Sequence, residues 1–121
     1  MVKHQVHEDF KTFIGNSIPE LSKMAADFCT QNHVAAKSLS VLQYGQNLIV
    51  SLGFRLDEHP YSISIESVEL PIRIIDASSS STDLDENMFD VMESWSGGDI
   101  ICHAFYLNDS GKLNVAFLLH E

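Results

Sequence analysis

The chain has 121 residues, 45% of them hydrophobic, and its 17 acidic against 7 basic side chains leave a formal charge of −10 at pH 7. That length suits a single domain, residues 1–121, with one sizeable core, and no apolar run approaches the ~20 residues that a membrane-spanning helix needs. No membrane partner is therefore expected, and acidity of this degree repels phosphate backbones, which argues against nucleic acid and favours basic or apolar polypeptides.

The first nine residues show no succession of basic, apolar and small residues, so no secretory signal is read there and a cytoplasmic location is expected. Cys29 and Cys102 form no disulfide framework and are read as reduced thiols.

Taken in chain order, Phe10, Phe13, Ile14, Ile18, Leu21, Met24, Ala25 and Phe28 recur at three-four spacing, the mark of a helical face. Gly15 interrupts it. The spacing predicts a short leading helix over 3–14 and a main helix over 18–31. Ser17 and Glu20 form a capping box there, Pro19 is tolerated in the first turn, and Asn32 ends the helix.

Beyond His33 the period changes to two. Residues 34–44 read as a strand, Gly45-Gln46-Asn47 as a tight turn, and Leu48, Val50, Leu52, Phe54 and Leu56 as the buried face of a second strand. Asp57 to Pro60 turns the chain, and Tyr61, Ile63 and Ile65 begin a third, which predicts a three-strand meander. At Glu66 and Ser67 the alternation slips, because Val68, Leu70, Ile72 and Ile74 continue on even numbers. A bulge or bend is the expected cause. Pro71 suits an edge strand or a strand leaving the sheet, and the serine-rich residues 77–82 read as a flexible loop.

Between Arg73 and Lys112 there is no lysine or arginine, yet Asp76, Asp83, Asp85, Glu86, Asp90, Glu93, Asp99 and Asp109 fall there. Leu84, Met88, Val91, Met92 and Trp95 keep helical spacing within that stretch, so the acids belong to an amphipathic helix. Asp83 is its expected N-cap with Glu86 as box partner, and Gly97-Gly98 its end. Residues 100–107 and 113–119 then form a hairpin across Asn108-Asp109-Ser110-Gly111. The expected fold is α+β: an antiparallel five-stranded sheet with helices packed on one face, in the order α(α)-β-β-β-α-β-β.

Motifs for catalysis are missing from the sequence, and the chain is not expected to be an enzyme or to need a cofactor. His4 and His7 are spaced like two metal ligands, but no second ligand pair accompanies them, and no metal site is expected. Cys102 and His103 are neighbours in a strand, so their side chains point to opposite faces and cannot form a dyad. The acids of the second helix spread along an exposed arc rather than converging as a hard cation requires.

The stretch Glu86-Asn87-Met88-Phe89-Asp90-Val91-Met92-Glu93-Ser94-Trp95, followed by Gly97-Gly98 and a hairpin, resembles the second helix, glycines and last two strands of the class I effector chaperones of type III secretion. The resemblance covers the element order from Ile18 to Leu119. It implies a small acidic cytoplasmic protein, usually dimeric, that grips an extended client segment through apolar grooves.

The leading functional expectation is therefore a chaperone- or adaptor-like module that binds a protein partner and forms a homodimer. Its candidate partner-binding residues are Asp83, Asp85, Glu86, Asp90, Glu93, Met92 and Trp95. Two alternatives stand beside it: an acidic inhibitor, of immunity type or a mimic of nucleic acid, that blocks a basic site, and a small-ligand-binding domain around His103, Cys102 or the carboxylates.

Overall fold

The protein is described by a computed structural model covering residues 9–57, 59, 61–70, 81–93 and 99–120. Its elements run β1 (Asp9–Gly15), α1 (Ile18–Asn32), β2 (Val34–Tyr44), β3 (Asn47–Leu56), β4 (Ile63–Glu69), α2 (Ser81–Glu93), β5 (Asp99–Leu107) and β6 (Leu113–His120). The class is α+β, but the single five-stranded sheet is not found. Among the described residues six strands form two three-stranded antiparallel sheets, ordered β1-β3-β2 and β4-β6-β5. The sheets come together where β2 runs beside β5.

Three expectations are corrected here. The leading helix is a strand over its described part: Phe10, Phe13 and Ile14 mimic helical spacing, yet Asp9–Gly15 pairs in unbroken register with β3. An aromatic and β-branched segment prefers a sheet edge when a partner strand is available. The meander is also broken, since β4 leaves β3 and pairs with β6 instead. Finally, the helices do not share one face, because α1 packs into a core common to both sheets while α2 covers the opposite side of the second sheet.

That two-sided coverage explains the slip in β4. Its pairing with β6 runs from Ile63 to Glu69 with no bulge. Ile63 and Ile65 face the first core, whereas Val68 and the following Leu70 join the second. Apolar residues change parity because the covered face changes. In β6 both faces are covered along the whole strand, with Ala116 and Leu118 in the first core and Leu113, Val115, Phe117 and Leu119 in the second. A true bulge lies in β5 between Ile100 and Cys102, and another in β2 between Ala36 and Ser38.

The main helix begins as its sequence predicts. Ser17 is extended and its Oγ accepts from the Glu20 N–H, with Pro19 in the first turn. The Glu20 carboxylate returns to accept from Asn16 N–H at 2.7 Å, one residue earlier than a standard box. Gly15 permits this, because a Cβ there would collide with the same carboxylate. His33 ends the helix in the left-handed region, its N–H donating to the Cys29 carbonyl. Inside the core, Phe28 meets Phe13 edge-on at 5.8 Å and Phe54 at 5.3 Å.

α1 also touches an outer strand of each sheet, β1 in the first and β4 in the second. Ser22 Oγ accepts from Ile65 N–H at 2.8 Å, an amide on the side of β4 turned away from β6. Tyr61 adds a tie at the seam, donating from its hydroxyl to the Ala36 carbonyl and resting its ring 4.2 Å from His120. At the β5–β6 turn, Asn108 Oδ1 accepts from Ser110 and Lys112 N–H, and its Nδ2 donates to Glu69 and to the buried Asn114. The predicted hairpin thus rests on one asparagine.

Two predictions follow from these supports. Ser17→Ala should lower unfolding free energy by ~1 kcal/mol, seen as a lower urea midpoint at constant slope. Leu118→Ala and Leu119→Ala should each cost about 2–5 kcal/mol, but only Leu119→Ala should speed amide exchange throughout 81–93, because α2 rests on the second core.

Candidate functional site

Helix α2 divides cleanly by position. Leu84, Met88 and Val91 pack onto the second core beside Val68 and Ile100. The other side faces water. Phe89 is 62% exposed and Met92 50% exposed, and Asp85, Glu86, Asp90 and Glu93 are exposed around them. Asp85 and Glu86 lie one turn before Phe89, and Met92 and Glu93 one turn after it, so they share one face with Phe89.

This face carries a shallow open hollow of ≈ 440 Å³ lined by Asp85, Glu86, Phe89 and Asp90. No described lysine or arginine pairs with these carboxylates. The ion pairs among the described residues lie elsewhere, Lys23 with Asp27 on α1 and Lys112 with Glu69 beside the hairpin turn. The hollow is therefore an apolar ring within a one-signed rim.

Of the residues expected at the site, Asp85, Glu86, Asp90, Glu93 and Met92 come together on this face. Asp83 is not an N-cap, because α2 starts at Ser81 and Asp83 is its third residue. Ser81 and Thr82, expected in the loop, open the helix, as small hydroxyl residues readily do in a first turn. Trp95, Gly97-Gly98, His4, His7, Asp76, Pro71, Ile72, Ile74 and residues 77–80 of the serine tract lie outside the described residues. Phe89 is the residue that reading by periodicity missed. It falls one position after Met88, off the core stripe, and an aromatic between acids on a helix's polar side was the available signal.

The thiols take separate places. Cys29 is fully buried in the first core, and Cys102 is half-buried against it. Because of the bulge, Cys102 does not share a face with Ile100, which belongs to the second core, and Ile101 packs with Cys102 rather than with His103. His103 stands on the other side, with Phe105 at 5.6 Å and Phe117 at 6.4 Å between ring centres. No three or more His, Cys, Asp or Glu side chains among the described residues converge to hold a metal ion. No helix among them is long and apolar enough to cross a membrane.

Burial pushes the thiols of Cys29 and Cys102 above their ordinary range. The folded state thus holds these protons more tightly than the unfolded chain does. Their contribution to stability is whole below the unfolded-chain value of about 8.5 and is lost as pH rises through the higher folded values. The urea midpoint should fall between pH 8 and 10 in the native chain, and Cys29→Ala with Cys102→Ala should flatten that decline.

Comparison with known proteins found no matching family model, curated protein or solved structure.

Proposed function

We propose that the protein is a chaperone- or adaptor-like binding module whose α2 outer face receives a basic polypeptide segment bearing an apolar anchor. The exposed Phe89 ring, lining a hollow together with the carboxylates of Asp85, Glu86 and Asp90, is the observation that supports this reading. A phenylalanine left in water gains ~1.5–3 kcal/mol when fully covered, and aromatic side chains together with methionine are favoured in interface centres. The surrounding acids would steer a cationic segment and fix its register, contributing more to association rate than to tightness.

No catalysis is required by this reading. The unpaired thiols suit a reducing compartment, and a cytoplasmic location goes with it. The alternative of an acidic inhibitor uses the same carboxylates but gives Phe89 no part.

A synthetic peptide with leucine anchors flanked by arginines, labelled for fluorescence anisotropy, separates the two. Binding should weaken about tenfold in Phe89→Ala, equivalent to ~1.4 kcal/mol, and should survive in part at high salt. Equal binding by native protein and Phe89→Ala, with complete loss at high salt, would leave charge mimicry as the better account. An acidic peptide of the same apolar pattern should not bind.

A further inference from the structure

The outer face of the first sheet points to a second interface, and we propose that it is where two copies of this chain associate. The register defines its surface. Phe10, Thr12 and Ile14 of β1 lie opposite Gly53, Ser51 and Ile49 of β3, which in turn lie opposite Ser38, Ser40 and Leu42 of β2. Tyr44, paired with Asn47, extends it by one row. The opposite face of these strands is turned into the first core.

Two properties of this face select a second copy as its occupant. The first is extent: Phe10 is 73% exposed, Ile14 61%, Leu42 57% and Tyr44 73%. Together these side chains leave on the order of 500 Å² of apolar surface in water, near the upper end of the ~300–600 Å² found for the largest patch of a typical monomer. With Ile49 and the hydroxyl row added, each copy can approach the ~800 Å² per partner of a standard interface. The second is charge. None of these eleven positions is acidic or basic in a chain of net charge −10. Two identical chains repel over most approaches, and this face is one where they can meet without opposing carboxylates.

The shape of the face is self-complementary. Thr12, Ser51 and Ser40 form a low row across the middle, with Thr12 Oγ1 within 3.4 Å of Ser51 Oγ. Bulk lies on both sides of that row. Ile14, Ile49 and Leu42 form a ridge at one end, and Phe10 lies over Gly53 at the other. Gly53 leaves room there for Ser38 Oγ, with which a Cβ would collide, and the Phe10 ring covers the same spot at 3.7 Å. A two-fold axis through the hydroxyl row sets Phe10 of one copy against the Ile14, Ile49 and Leu42 ridge of the other. Face-to-face packing of this kind is isologous, so both copies contribute the same residues.

This proposal stands apart from the α2 reading and is tested by sedimentation equilibrium across the micromolar range. The native chain should dimerise and should do so more tightly as salt rises, since screening relieves the repulsion between like-charged chains. Leu42→Lys and Phe10→Ser alter exposed side chains, so each should keep its far-ultraviolet circular dichroism and melting transition while dimerising at least about tenfold more weakly, a clear shift on the affinity scale. Phe89→Asp on α2 should leave dimerisation intact. A chain monomeric throughout that range, a dimer unchanged by both first-sheet substitutions, or a dimer abolished by Phe89→Asp alone would each overturn the proposal.

Discussion

Strand β6 is the constraint on which the rest depends. It is the middle strand of its sheet and is covered on both sides, so each of its apolar side chains is committed to one of two apolar layers. Ala116 and Leu118 tie it to α1 and to the first sheet, while Val115, Phe117 and Leu119 support α2. A strand buried in this way loses the apolar-polar alternation of a half-exposed one and reads as a continuous run. Leu113 through Leu119 shows that run, broken only by Asn114, whose amide is held by Asn108.

Much of the local structure was legible because its causes are local. Ser17, Pro19 and Glu20 define a helix start through hydrogen bonds spanning a few residues, and Asn108 to Gly111 define a turn in the same way. The pairing of strands was not legible, because it depends on contacts far apart in sequence. Nothing near Tyr61 or Ile63 announces that β4 will leave β3 for β6, and the parity change at Glu66 has two readings, a bulge or a second covered face. Phe10, Phe13 and Ile14 fit a helical pattern only in continuity with the true helix beyond Gly15. On α2 the arc of acids followed from spacing, but Phe89 was hidden by adjacency to Met88, since neighbours on a helix point about 100° apart.

The molecule sorts its surfaces by charge as well as by burial. Acids concentrate on α2, where an aromatic ring stands exposed among them, whereas the outer face of the first sheet has no ionisable side chain in its central rows. A client drawn by one surface and a copy drawn by the other would not compete for the same residues. The two cores serve these surfaces unequally. The first gathers α1 and strands of both sheets around it, while the second holds α2 through a few side chains, so the helix bearing Phe89 can adjust without disturbing the first sheet.

The bond from Ile65 to Ser22 has a consequence for how the chain avoids polymerising. A rim of unmatched backbone amides is a template on which further strands can stack without limit, and α1 spoils that template on β4 by occupying one of its donors with a side chain. That donor is closed to strand addition, and β1 is the remaining described rim away from the seam. A serine on a helix thus shields part of a sheet edge to which it does not itself belong.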